Sequence, residues 1–247
     1  MITTLAFSLI GINLLAFITI ILRPRIYKTK LYRPMLVNLR LSIIPIFVLM
    51  ITVFLCLSFL QWSYNTNEII YGVISLILLL AGFIIWLLML PNSGYLITEL
   101  NFNHREQDTA EVPLWYDIVS ILSLAMSGVL NMCFNVFILQ FLLTAMVNSI
   151  YQADMAGIWV DLVTILLLAL CSFGIYLGRY IRLNSWDVKH PSQFIGKLKS
   201  HYSEKGALKT CCLFIIFHSL FFYIFFHATM GYMSQSMFQE LGRTWAQ

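Results

Sequence analysis

A chain of 247 residues with 60% hydrophobic and 11% charged side chains lies far from the composition of water-soluble domains. Its uncharged apolar runs of about 20 residues match what a helix needs to cross a hydrocarbon core of about 30 Å. The net charge of +4 is small, so no nucleic-acid partner is indicated, and the placement of the cations says more than their sum.

The first apolar run, Ile2 to Leu22, has no basic residue before it and no small-residue cleavage site after it. It reads as a retained span, not a removable signal peptide. Behind it come Arg23, Arg25, Lys28, Lys30, Arg33 and Arg40, a cationic loop of about 23–40 expected on the cytoplasmic side, with the amino terminus outside. The second span, about Leu41 to Trp62, and the third, about Ile69 to Leu90, are joined by the short polar link SYNTNE and must run antiparallel. Pro45 either kinks the second span or occupies its first turn. Trp62 and Tyr64 mark the outer interface as aromatic belt residues.

A loop of about 91–116 opens on Pro91, Asn92, Ser93 and Gly94, which are expected to break the helix, and continues with mostly acidic charge. Its YLITEL segment is too short to span and either lies in the interface or dips back against protein. The fourth apolar stretch, about Asp117 to Tyr151, would make roughly 50 Å of helix, so it must tilt, break near Gly128 or project beyond the bilayer. The fifth span is about Gly157 to Gly178 and the sixth about Cys211 to Tyr232, separated by a cytoplasmic loop of about 179–210.

Six Arg and Lys residues follow span one, one follows span three and seven follow span five, so fourteen of fifteen fall on one side. That distribution describes an all-α, polytopic integral membrane protein: one domain over residues 1–247, six transmembrane helices, both termini outside. Between Ser192 and Lys209 the residues Phe194, Ile195, Leu198 and Tyr202 recur at helical spacing among Lys197, Lys199 and Lys205. This is either a short helix on the inner leaflet, favoured by anionic lipid, or an ordinary solvated connector. The five cysteines sit in or beside apolar runs and read as small hydrophobes. No metal-ligand spacing is evident, and no cofactor is implied.

The segments LPNSGYLITELN (Leu90 to Asn101), VPLWYDI (Val112 to Ile118) and GIYLGRYIRLNSWDV (Gly174 to Val188) lie in this order between hydrophobic spans. Together they resemble a family of uncharacterised bacterial polytopic membrane proteins, domain-of-unknown-function family 1361. The resemblance runs from about Arg23 to the sixth span. It implies a multi-pass protein of the bacterial plasma (inner) membrane, and no activity.

The expected topology brings Asn92, Glu99, His104, Asp117, Arg179, Arg182, Asn184, Trp186 and Asp187 to one cytoplasmic face. Three readings of this cluster stand side by side. In the first it is structural: Arg179 and Arg182 pair with Glu99, Asp117 or Asp187, and the asparagines satisfy helix ends. In the second it binds an anionic head group, with the arginines as bidentate donors to phosphate or carboxylate and Trp186 as an apolar wall. In the third it is catalytic, with Glu99 or Asp117 as general base, His104 as proton shuttle or metal ligand, and Arg179 or Arg182 as an electrostatic clamp. No H-E-x-x-H or G-x-S-x-G spacing accompanies this last reading.

Along span four, Ser123, Ser127, Asn131 and Asn135 recur every four residues, with Asp117 and Ser120 on the same side. This polar stripe either bonds neighbouring helices or marks a solute or proton path. His218 and His227 point to opposite sides of span six, and His218 is expected to be a neutral ring bonded to a backbone or hydroxyl group. The combined expectation is a protein that binds or handles an anionic lipid or envelope precursor, with a possible membrane-protein partner. A secondary transporter using the stripe, a lipid-modifying enzyme and a scaffold subunit are the alternatives.

Overall fold

The computed structural model describes residues 2–101, 112–151, 156–181 and 191–245. His104, Arg182, Asn184, Trp186 and Asp187 lie outside the described residues. The chain forms α1 (Ile2–Tyr27), α2 (Arg33–Thr66), α3 (Ile69–Met89) and a four-residue α4 (Pro91–Gly94) that runs into a 3-10 segment (Tyr95–Asn101). There follow α5 (Leu114–Tyr151), α6 (Ala156–Tyr176) with a terminal π turn (Leu177–Ile181), α7 (Pro191–Tyr202) and α8 (Ala207–Trp245). Helices α1, α2, α3, α5, α6 and α8 are each long and apolar enough to cross a bilayer, giving the six spans expected.

The helices overrun the limits that hydropathy suggests. Helix α1 continues through Arg23 and Arg25 to Tyr27 and α2 starts at Arg33, so only residues 28–32 of the expected 23–40 loop are non-helical. Arginine is a good helix former with a long stem, so leaving the apolar run does not end the backbone ladder. What ends it is local conformation. Lys28 and Asn67 sit in the left-handed region at φ 57°, closing α1 and α2. Pro34 occupies the first turn of α2, which leaves Pro45 in the helix interior and settles the alternatives posed for it. The missing Pro45 N–H deprives the Leu41 carbonyl of its helical donor, and the adjacent Ser42 carbonyl accepts the Ser93 hydroxyl at 2.6 Å.

The Pro91–Gly94 stretch does not break the helical path. Leu90 and Tyr95 on either side are both right-handed helical, and Pro91 sits where a helix start needs no N–H. The turn is seated between two glycines. A Cβ at Gly128 of α5 would meet the Ser93 carbonyl and Leu96, and one at Gly174 of α6 would meet the Pro91 ring. Gly128 is therefore a notch for the incoming turn and not a hinge, and α5 runs unbroken for 38 residues. The YLITEL segment dips back against protein: Leu96 is fully buried and packs with Ile121 and Leu124 of α5.

Helix α5 is the hub. Most of its apolar residues are buried, against a small minority of those in α1, α3 and α8, so those three spans turn many apolar side chains outward toward lipid. Val129, Met132, Cys133 and Val136 of α5 pack against Trp86 and Leu90 of α3, Leu168 and Ile175 of α6, and Phe222 and Phe226 of α8. A smaller cluster joins Ala16 and Ile20 of α1 and Met35 and Leu39 of α2 to Ile121 and Leu124. Helices α2 and α3 form the antiparallel hairpin expected, linked across by the Ser75 hydroxyl donating to the Cys56 carbonyl at 2.9 Å. Cys56, Cys133, Cys171 and Cys211 are buried free thiols, and Cys212 is exposed.

The glycine notches give a direct test. Gly128→Val forces the Ser93 turn outward, and overpacking of this kind costs roughly 1–3 kcal/mol, so the unfolding midpoint in detergent falls clearly. Gly196→Ala on α7, where a Cβ meets nothing within 4 Å, leaves the midpoint unchanged or slightly raised.

Candidate functional site

The alternation of spans brings the C-terminal ends of α1, α3 and α6 together with the N-terminal ends of α2, α5 and α8, and several polar contacts among the described residues lie there. Two of these contacts differ in kind. The first is a closed ion pair. Asp117, in the first turn of α5 and fully buried, receives Arg23 Nε on Oδ1 at 2.8 Å and Nη2 on Oδ2 at 3.4 Å. Arg23 Nη1 also reaches Thr29 Oγ1 at 3.4 Å. A two-pronged guanidinium contact satisfies both carboxylate oxygens, which is what a desolvated charge requires. Tyr116 Oη donates to the Thr19 carbonyl at 2.8 Å and its ring packs edge-on against Tyr27, fastening α1 to α5 beside the pair.

Arg23, which the sequence did not offer as a partner of Asp117, pairs with it because α1 continues as a helix past its apolar run and carries Arg23 directly against the start of α5. Arg179 makes no ion pair with Asp117 among the described residues, and Arg182 lies outside them. The pair holds α1 against α5.

The second contact is a half-open cluster. Glu99, in the 3-10 segment, is half-buried and accepts Asn38 Nδ2 of α2 on Oε1 at 2.8 Å. Arg179, half-buried on the π turn after α6, interacts electrostatically with both Glu99 and Tyr32. Among the described residues Arg179 makes no ion pair within 4.0 Å and no side-chain hydrogen bond. Burial, and after it the Glu99 carboxylate, push the Tyr32 phenol above the usual tyrosine range, so it remains protonated at neutral pH. Leu31, Leu100 and Tyr180, each the chain neighbour of a cluster member, are exposed. Asn92 is half-buried on α4 and makes no side-chain hydrogen bond among the described residues.

The stripe on α5 is enclosed. Ser123, Ser127, Asn131 and Asn135 are all buried. Asn131 exchanges amide hydrogen bonds with Asn13 of α1 at 2.9 and 3.0 Å and also donates to Ser42 Oγ of α2 at 3.0 Å. Asn135 accepts Trp86 Nε1 of α3 at 2.9 Å and donates to the Asn131 carbonyl at 2.8 Å, while the Ser127 hydroxyl donates to the Leu124 carbonyl of its own helix at 2.8 Å. The two asparagines thus tie α5 to three other spans. Farther along, Gln140 Nε2 donates to Thr164 Oγ1 of α6 at 2.7 Å, and Ser234 Oγ of α8 donates to Gln140 Oε1 at 2.9 Å.

Helix α7 closes over the same end of the bundle. Tyr176 Oη bonds His201 Nε2 at 2.7 Å and donates to the Ala207 carbonyl at 3.3 Å. His218 Nδ1 meets the Phe214 carbonyl at 3.0 Å, the backbone-bonded state expected for it. Among the described residues no group of three or more His, Cys, Asp or Glu side chains is placed to hold a metal ion.

Residues 37–226 match the family described as "Protein of unknown function (DUF1361)". The chain belongs to this family. The match begins within α2, so α1 and Arg23 lie before it, whereas Asn38, Glu99, Asp117 and Arg179 lie inside the family region. No curated protein and no solved structure matches the chain.

Arg23, Tyr32, Asn38, Asn13, Ser42 and Trp86 were not singled out as site residues from the sequence. Asn13 did carry a signal, as the one amide in the first span. Replacing Asp117 by Asn leaves Arg23 buried without its counter-charge. Loss of one member of such a pair costs roughly 3–5 kcal/mol. Thermal unfolding in detergent is expected to show a large drop for Asp117→Asn and for Arg23→Ala, with the double replacement Arg23→Met, Asp117→Leu recovering much of the loss.

Proposed function

We propose that the protein binds the anionic phosphate of a lipid head group at the cluster of Tyr32, Asn38, Glu99 and Arg179, at the cytoplasmic face of a bacterial inner membrane. The observation that carries this reading is Arg179, a half-buried guanidinium with no ion-pair partner among the described residues, beside a carboxylate already held by an asparagine. A half-buried guanidinium outside any close ion pair among the described residues is a strong site for phosphate, which it can engage through two parallel N–H bonds. Its position on a π turn supports the reading, since such turns often re-aim a side chain at a working site. The exposed apolar side chains Leu31, Leu100 and Tyr180 next to cluster members in the chain suit the glycerol and first acyl carbons. Arg25, Lys28, Lys30, Arg33, Lys199, Lys205 and Lys209 at the same end favour an anionic leaflet.

By contrast, Asp117 and the α5 amides are engaged in holding helices, and this supports a packing role for the stripe. Sidedness follows from the positive-inside distribution, with both termini outside. In a background with Cys212 replaced by Ser, cysteine at exposed Ser203 is expected to react with a membrane-impermeant maleimide only in inverted vesicles, and cysteine at exposed Asn65 only in intact cells. The opposite pattern reverses the orientation.

Purified protein is expected to carry phosphorus-bearing lipid measurable by native mass spectrometry. Arg179→Ala should lose at least roughly tenfold of it, the scale of one charge-assisted contact, and Arg179→Lys should lose less. Full lipid retention by Arg179→Ala removes the proposal.

A further inference from the structure

Resting on the reading above, we infer that the head group this site selects carries a primary ammonium beside its phosphate, a phosphoethanolamine-type zwitterion, with Glu99 receiving the ammonium while Arg179 holds the phosphate. The argument begins from charge balance. A site built for an anion alone gains nothing from a carboxylate within electrostatic reach of its arginine, because that carboxylate repels the phosphate and weakens the field of the guanidinium. Here the carboxylate is not incidental. Glu99 is half-buried, and Asn38 from another helix holds it through Oε1 at 2.8 Å. Asn38 is a neutral donor, so it orients the carboxylate without cancelling its charge.

Glu99 Oε2 has no hydrogen-bond partner among the described residues. The cluster therefore presents one cation, Arg179, and one anchored anion, with the protonated Tyr32 phenol nearby. A phosphate and an ammonium two carbons apart complement that pair, each charge meeting its opposite. A phosphoglycerol head group supplies only hydroxyl donors to Glu99, and a trimethylated ammonium supplies no N–H at all. Hydrogen bonds between charged partners are roughly twice as strong as neutral ones, and this difference sets the order of preference.

The test uses the full chain in nanodiscs containing phosphatidylethanolamine, phosphatidylglycerol and phosphatidylcholine in equal amounts, with the lipid retained on release read by native mass spectrometry. The wild-type chain is expected to retain phosphatidylethanolamine over each of the others by roughly tenfold. Glu99→Gln, which keeps the side-chain shape, is expected to erase that preference while still retaining lipid, and Arg179→Ala to lose all three. Equal retention by the wild type, or a preference that survives Glu99→Gln, overturns the zwitterion inference and leaves phosphate binding standing. Full retention by Arg179→Ala overturns the phosphate reading itself. Circular dichroism and elution profile, unchanged in Glu99→Gln, separate lost selectivity from misfolding.

Discussion

In hydrocarbon a polar side chain has no water to fall back on, and the helix at the centre of this protein carries a row of them. Asn131 and Asn135 on α5 each need partners from other helices, and they find them in Asn13, Ser42 and Trp86. These bonds fix which face of α1, α2 and α3 turns toward α5, in a setting where apolar surface alone distinguishes poorly between one helix face and another. The same rule operates on the backbone. Pro45 removes one donor from the α2 ladder, and next to the Leu41 carbonyl that loses it the Ser42 carbonyl accepts the Ser93 hydroxyl. The Ser93 turn can come that close because Gly128 and Gly174 have no side chains to hold it off.

The two charged groupings at one end of the bundle obey different economies. Arg23 and Asp117 are both almost completely enclosed, and a charge in that position persists only with its counter-ion in good geometry. They serve as a fastener for α1, a helix that otherwise offers most of its surface to lipid. Glu99 and Arg179 sit where the 3-10 segment and the π turn both depart from regular α-helix, and neither is fully buried. Partial exposure lets a carboxylate and a guanidinium stand near each other without closing into a direct pair. The Arg23–Asp117 contact, by contrast, is closed.

The family region begins inside α2, yet the partner of its most deeply buried carboxylate comes from α1. The helix outside the matched region thus supplies a counter-charge that the matched region needs. Asn13 does the same at mid-membrane for Asn131. Both contacts make α1 an integral part of the bundle, despite the small share of it that is buried.

Much of the architecture was open to inspection in the chain before any coordinates. Runs of about 20 apolar residues require spans, because a helix of that length matches the hydrocarbon thickness, and the structure has the six expected. The 3.6-residue period made the α5 stripe visible, since neighbours on one helix face are separated by fixed steps. Which residues meet across helices was not visible, because hydropathy reports the solvent a segment prefers and says nothing of its neighbours or of where its backbone stops. Arg23 looked like a loop cation until α1 proved to run to Tyr27, and the PNSG turn looked like a break until Gly128 and Gly174 proved to cradle it. Periodicity and charge belong to the one-dimensional chain and decide its spans and their alternation. Partners and clearances depend on the approach of helices far apart in sequence, and only packing in three dimensions settles them.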